Sequence, residues 1–203
     1  MDSNGISLIV LQPTSLCNLN CKYCYIPEKE RRKRNAMTKE VLDQILKVLF
    51  NSNNICSNIR ILWHAGEPLL AGLPFFRYAT KVIHEKCYKK EIKVKQSLST
   101  NAILVNQEWA EFFKESNFSI GVSIDGPAKI HNNQRTNWKG GATHHLVMNA
   151  IKLLQKYNVD FGALLVLTKE SLNYPKEIYE FFLKNKIYTL GINIEQILNS
   201  NSS

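Results

Sequence analysis

Six short apolar runs, each but the last followed by a segment of helical spacing, constrain the fold of this chain more than any other feature. The runs are Ile6–Leu11 ("ISLIVL"), then residues 58–65, 91–99, 118–125, 160–168 and 189–196. Between them lie residues 38–50, 74–89, 106–116, 142–157 and 174–186, whose apolar residues recur every three or four positions. Thr38 suits a helix N-cap, and Pro74 a first helical turn. The runs are short, rich in Val, Ile and Leu, and read as mostly apolar on both faces. That is the pattern of a parallel sheet covered by crossover helices. It predicts an α/β fold in which six parallel strands curl into a partial (β/α)6 barrel, with chemistry at the C-terminal ends of the strands.

The 203 residues suffice for one domain with a sizeable core, and no internal linker interrupts them. The reading is a single domain over 1–203 that stops just after its sixth strand, before a sixth helix, in the polar tail "NSNSS". No stretch is apolar enough to cross a membrane, and the N-terminus lacks the features of a signal peptide. The expected compartment is the cytoplasm, where thiols stay reduced and clustered cysteines point to metal or redox chemistry rather than disulfides. A net charge of +9, from 26 Lys and Arg against 17 Asp and Glu, suits a nucleic acid or an acidic peptide as partner. The basic residues form no aromatic-interleaved patch, which argues against nucleic acid. The densest basic run, "EKERRKR" at residues 28–34, reads as a solvated loop before a helix.

Chemistry-bearing residues fall where this architecture wants them. "SLCNLNCKYCYIP" follows the first strand and holds Cys17, Cys21 and Cys24 in a C-x-x-x-C-x-x-C spacing. "HAGEP" ends the second strand, "STN" the third and "SIDGP" the fourth, so four loops meet at one rim. Three thiolates can hold three corners of a cubane iron–sulfur cluster and leave the fourth iron open for an exchangeable ligand. A structural zinc site wants a fourth protein ligand; His64 is conceivable but belongs to the strand-end motif. Cys56 and Cys87, on or beside helices, read as ordinary buried cysteines.

These motifs resemble those of radical S-adenosylmethionine (SAM) enzymes, and the resemblance implies their partial barrel, a 4Fe-4S cluster and SAM as cofactors. In that superfamily the amino and carboxylate groups of SAM chelate the open iron. One electron then cleaves SAM to a 5′-deoxyadenosyl radical, which takes a hydrogen atom from substrate. The resemblance implies Cys17, Cys21 and Cys24 as cluster ligands and Tyr23 as the aromatic residue near adenine. "HAGEP" resembles the family's Gly-Gly-Glu-Pro stretch, with Ala65 in place of the first glycine. It implies that Ala65 and Gly66 let the backbone approach SAM and that Glu67 accepts a hydrogen bond from the amino group. Ser99, Thr100 and Asn101 are assigned to the SAM pocket, and Ser123 and Asp125 to the ribose or methionine end. As residues alone, each is equally a strand-end cap or Asx-turn. Arg135 reads either as a partner of the SAM or a substrate carboxylate, or as a solvated loop arginine. No residue is singled out as catalytic.

The wording of "LQPTSLCNLNCKYCYIP", "ILWHAGEPLLAG" and "GVSIDGPAKIHNNQR" resembles the peptide and protein maturases of the superfamily. Residues 160–196 resemble most the maturases that install cross-links in Gly/Arg-rich ribosomal precursors, and the whole resemblance spans roughly residues 6–196. Such maturases carry a C-terminal cysteine-rich extension, called SPASM, with auxiliary clusters; no cysteine follows Cys87. The reading is therefore a maturase of a ribosomal precursor peptide, served by a flavodoxin- or ferredoxin-type electron donor, and either a truncated or split product or a chain completed by another that carries a cysteine-rich domain. The alternatives are anaerobic sulfatase maturation, nucleic-acid modification, and an inactive remnant or partner subunit.

Overall fold

The computed structural model describes residues 5–52 and 54–196. Six parallel strands form one sheet in the order β1-β2-β3-β4-β5-β6. They are β1 (Ile6–Leu11), β2 (Ile55–Trp63), β3 (Lys93–Thr100), β4 (Ser119–Ser123), β5 (Asp160–Leu167) and β6 (Leu190–Ile194). The helices are α1 (Glu28–Arg31), α2 (Lys39–Asn51), α3 (Leu73–Lys89), α4 (Gln107–Glu115), α5 (Ala128–Gln134), α6 (His144–Lys156) and α7 (Pro175–Lys184). When every strand lies beside its predecessor and every crossover has one hand, the helices collect on one face. Twist then curls the sheet into a half-barrel.

Local signals set the helix starts. The Thr38 hydroxyl accepts from Val41 N (3.3 Å) and the Asn106 side chain from Trp109 N (3.0 Å), caps worth about 1 kcal/mol each. On the helix-facing side, Ile9, Ile61, Trp63, Leu98, Val122 and Leu165 pack against the inner stripes of the helices. An aromatic chain runs through that layer: Trp63, Phe76, Trp109 and Phe113 meet at centroid distances of 5.1, 5.6 and 5.4 Å. The Trp63 ring N–H is satisfied by Gln96 Oε1 (3.0 Å), so the indole is buried without an orphaned donor.

The expectation of strands apolar on both faces is corrected. The opposite, concave face carries Ser97, Ser99, Ser119, Gly121 and Ser123 on β3 and β4, and Leu164 and Val166 on β5. Only one face is covered by helices, so only that face needs unbroken apolar character. β2 begins three residues earlier than the sequence suggests, because Ile55 pairs with Ile6 across a register shift in β1. Cys56 therefore sits in β2 rather than beside a helix; it and Cys87 are both buried, as expected. In β6, Leu190, Ile192 and Ile194 stand in register with Ala163, Leu165 and Leu167. They share the helix-facing side, yet are 39%, 58% and 77% exposed.

Candidate cofactor site

The loop from β1 to α1 is clamped from three directions. Arg31 lies buried beneath it and donates from Nε to Ile26 O (2.9 Å) and from its guanidinium to Leu19 O (3.3 Å) and Asn20 Oδ1 (3.0 Å). Cys17 N donates to Arg31 O (2.9 Å), and the Ser15 hydroxyl to Glu30 O (3.0 Å). The basic run is thus not a solvated loop: it folds into α1 and braces the cysteine loop, although Arg32, Lys33 and Arg34 remain exposed. On a second side, Asn20 N and Lys22 N donate to Thr136 O (2.8 Å) and Gln134 O (2.9 Å), and the Trp138 ring N–H to Cys17 O (2.9 Å). On the third, Glu67 N donates to Leu16 O (2.8 Å).

That last approach explains Gly66. A Cβ there would stand 2.6 Å from Leu16 O and 2.7 Å from Thr14 O, and its φ is +55°. The small residue is needed so that the β2 turn can press on the backbone of the cysteine loop. The neighbouring Ala65 also takes a positive φ (72°) and is buried.

Cys17, Cys21 and Cys24 face one cavity of about 860 Å³ at the C-terminal ends of the strands. Of the other residues expected at the site, Tyr23, Gly66, Ser99, Thr100, Asn101, Ser123 and Arg135 line this cavity; Ala65, Glu67 and Asp125 do not. Tyr25, His64, Leu164, Val166 and residues 192–196 complete the wall. The Tyr25 hydroxyl lies 3.2 Å from His64 Nε2. Leu164, Val166, Ile192 and Ile194 are apolar, so nothing in their sequence marks them as site residues, and the polar Asn193, Glu195 and Gln196 belong to no motif that sequence reasoning singled out.

Three of the polar residues expected at the site have protein partners of their own. Glu67 is expected toward the SAM amino group. It is fully buried behind the wall, where Oε1 accepts from the Thr100 hydroxyl (2.7 Å) and Leu69 N (3.1 Å) and Oε2 from Asn101 N (2.8 Å). It staples the end of β2 to the end of β3. Burial lifts its carboxyl to about 7 against those three donors. Asp125 is expected at the ribose or methionine end. Instead it accepts from the Tyr23 hydroxyl (2.5 Å), from Arg135 Nε and a terminal nitrogen (2.9 and 3.3 Å) and from Val166 N (3.1 Å). Arg135 is neither solvated nor facing a free carboxylate: it is buried, paired with Asp125 and set over the Tyr23 ring at 5.2 Å. Burial, the largest single effect, disfavours its charge, but the Asp125 charge and hydrogen bonds together with Tyr23 and Cys21 outweigh it, so the guanidinium is held above its ordinary value.

Sequence reasoning did not single out His131, which supports this group from behind. Its Nδ1 accepts from Asp125 N (3.4 Å) and its Nε2 lies 3.1 Å from the Thr143 hydroxyl, which donates to Arg135 O (2.6 Å). Those partners assign the neutral tautomer with its proton on Nε2, and burial pulls the imidazole down to about 3.

The donor set fits a polynuclear cluster. Burial pushes the Cys17 thiol up to about 12 and the Cys21 thiol to about 11, the latter even with Arg135 and Arg31 nearby, so a bound metal centre would be needed to hold them as thiolates. Cys17 Sγ already accepts from Leu19 N (3.4 Å) and Asn101 Nδ2 (3.9 Å), which would support a thiolate. Among the described residues no three His, Cys, Asp or Glu side chains gather closely enough to hold one metal ion. Three separated sulfurs on one wall suit a group large enough to reach each of them, as a 4Fe-4S cluster is.

A model of the radical SAM superfamily matches residues 11–182. The chain is similar to uncharacterized protein sll1766 of Synechocystis sp., with 40% identity over 97% of this chain and 50% of that one. It is also similar to a cysteine-type anaerobic sulfatase-maturating enzyme of Clostridium perfringens, with 35% identity over 87% of this chain and 48% of that one. Native anSMEcpe with bound AdoMet and Kp18Cys peptide superposes with a TM-score of 0.87 at 32% identity, over 95% of this chain and 52% of that one. Streptococcus suis SuiB bound to precursor peptide SuiA shares the fold, with a TM-score of 0.66 at 22% identity, over 96% of this chain and 40% of that one. The chain spans about half the length of the curated relatives it matches. No helix among the described residues is long and apolar enough to cross a membrane.

Proposed function

We propose that this chain, which belongs to the radical SAM superfamily, forms the cofactor-binding core of a peptide maturase. Cys17, Cys21 and Cys24 would hold a 4Fe-4S cluster and the rest of the cavity S-adenosylmethionine. When bound, the pair supplies a one-electron cleavage that yields a 5′-deoxyadenosyl radical. The observation that carries the reading is the convergence of the three sulfurs on one cavity whose other walls are Ser99, Ser123, Asn101 and Tyr23.

The chain's own residues hold and orient. Asn101 and the Leu19 amide donate to the Cys17 sulfur. Glu67 fixes Thr100 and Asn101. Asp125 fixes Tyr23 and Arg135, so that a ring and a cation stand at set positions on the wall. These are positioning roles. Ser99 and Ser123, half-buried on the concave face, are the hydroxyls left to meet a polar cofactor.

The substrate in this reading is a ribosomal precursor peptide that receives a cross-link. Its support is the wording of residues 160–196 and the peptide-bound state of proteins of the same fold. A second reading, anaerobic sulfatase maturation, is favoured by 35% identity to a sulfatase-maturating enzyme. An acidic electron carrier of the flavodoxin or ferredoxin type and a covering chain over β6 belong to both readings. Both also place the protein in a reducing cytoplasm.

Anaerobic reconstitution with iron and sulfide, followed by assay of 5′-deoxyadenosine, tests the core claim. The intact chain should yield it, and the Cys17→Ala/Cys21→Ala/Cys24→Ala variant should not. Parallel incubations with a Gly-rich precursor and a cysteine-bearing sulfatase peptide separate the substrates. An aldehyde captured by hydrazide marks sulfatase maturation, and a hydrazide-silent mass loss marks a cross-link. A reconstituted protein that leaves SAM intact under strong reductant would refute the proposal.

A further inference from the structure

The cysteine loop has a second face, turned away from the large cavity. A cleft of about 640 Å³ lies there, lined by Cys17, Asn18, Arg31, Arg32, Arg34 and Trp138 among others. Its floor touches a proposed cluster ligand directly, because the Trp138 ring N–H donates to Cys17 O (2.9 Å). The Arg32 guanidinium stands 4.1 Å over the Trp138 ring, a cation–π contact that fixes both groups.

The rim of this cleft is strongly basic. Residues 28–34 hold five basic and two acidic side chains, and Lys139 follows Trp138. The two acids are taken by Arg32 (Glu28, 2.8 Å) and Lys33 (Glu30, 2.8 Å). Lys29, Arg34 and Lys139 have no acidic partner among the described residues and are exposed. Exposed, flexible cations of this kind steer and orient an anionic surface. A single-stranded nucleic acid would want successive free aromatic faces, whereas the one tryptophan here is capped by Arg32.

We propose that this face, built from α1 and the Trp138 turn, docks an acidic electron-carrier protein that reduces the cluster. The inference rests on the reading that Cys17, Cys21 and Cys24 hold a 4Fe-4S cluster. In the step itself the reduced carrier gives up one electron and the oxidised cluster gains it; no bond breaks and no proton moves. A carrier seated on Trp138 would stand one hydrogen bond and one residue away from a sulfur ligand. That short reach is a reason for the basic rim to lie here rather than elsewhere on the surface.

The test uses the reconstituted chain, a reduced flavodoxin as the carrier, and the variant Arg32→Glu/Arg34→Glu. Association is read by surface plasmon resonance and cluster reduction by visible absorbance. At low salt the variant should bind the carrier at least about tenfold more weakly and be reduced at least about tenfold more slowly. The difference should shrink as salt rises. Photoreduced deazaflavin, which needs no docking, should reduce both proteins equally. Lys86→Glu/Lys89→Glu makes the same charge change at the end of α3, across the molecule from the cysteine loop, and should behave as the parent. Arg32→Gln/Arg34→Gln, milder for folding, should give an intermediate loss.

Equal carrier binding by parent and Arg32→Glu/Arg34→Glu, or equal loss at both faces, would overturn the proposal. So would binding of a polyuridylate oligomer that depends on Arg32 and Arg34 while carrier binding does not. Failure of the cluster reading is seen separately, as absent iron absorbance before any carrier is added; the binding comparison does not depend on it.

Discussion

The cysteine loop and β6 stand at opposite edges of one cavity and are held in opposite ways. The loop is pinned by α1, by residues 134–138 and by the β2 turn, through hydrogen bonds that reach its backbone from each side. Among the described residues β6 has only β5 beside it, and none of them covers the side of it that should meet a helix. The difference teaches where the chain is self-sufficient. The corner that would hold the cofactors closes on its own contacts, while the opposite rim offers apolar surface that the described residues do not cover. An exposed apolar stripe on a strand edge is a surface that seeks a partner.

Each of the following changes would break or sharpen that contrast. The largest effect is all-or-none. Replacing Cys17, Cys21 and Cys24 together with alanine should abolish bound iron and the brown chromophore, whereas Cys56→Ala and Cys87→Ala should keep both. Iron analysis after reconstitution decides it, and full iron in the triple variant would end the cluster assignment.

Next in size is the Asp125 group. Asp125→Ala leaves the buried Arg135 cation without its counter-charge and strips partners from Tyr23 and Val166. The loss should be about 3–5 kcal/mol by denaturant unfolding. A loss below 1 kcal/mol (on the scale of an exposed pair) would mean that this corner is not rigid.

Glu67 should make the fold pH-sensitive. Its carboxyl is raised from the ordinary 4.5 to about 7 in the folded state. Its contribution is therefore full below pH 4.5 and lost as pH rises through 7, an effect on the order of 3 kcal/mol. Glu67→Gln, which cannot ionise, should flatten the stability profile across that window. An unchanged profile would show that the three donors, rather than burial, set its charge.

The smallest effect, at Ile192, is the most pointed when set against Leu165. Leu165 and Ile192 are register partners on the same side of the sheet, 2% and 58% exposed. Leu165→Ala should cost about 2–5 kcal/mol. Ile192→Ala should stay within about 0.5 kcal/mol. Equal costs would mean that β6 is covered in solution, and repeating the pair with a candidate covering chain present would then show by what.

Much of the fold was legible, for identifiable reasons. "ISLIVL" has no polar interruption, and β1 occupies those residues. Thr38 and Asn106 are caps, and their helices begin one residue later. The start of β2 was not legible, because polar Ser57 and Asn58 break the apolar run and only pairing with β1 and β3 makes them strand. α5 was missed because seven residues following Pro127 carry too little apolar periodicity. At the site, spacing revealed the cysteines, and loop position brought "STN" and Ser123 to one rim, whereas Arg135, which also lines the cavity, was not placed there by its position in the sequence. What spacing cannot reveal is which of two adjacent side chains at a strand end turns inward. Glu67 and Asp125 carry the charge that suggests ligand contact, yet each turns into the wall, where protein donors are waiting. Likewise a run of basic residues gives no sign that Arg31 alone is drawn under a loop by three acceptors.

The central claim is that the cofactor corner is complete within this chain. Titration of S-adenosylmethionine into the anaerobically reconstituted and reduced chain, followed by the electron paramagnetic resonance of the cluster, tests it most directly. Saturable binding by the chain alone, with a change in the cluster signal that the triple cysteine variant cannot show, is the predicted result. A fully loaded cluster whose signal is indifferent to the cofactor even in large excess would contradict it.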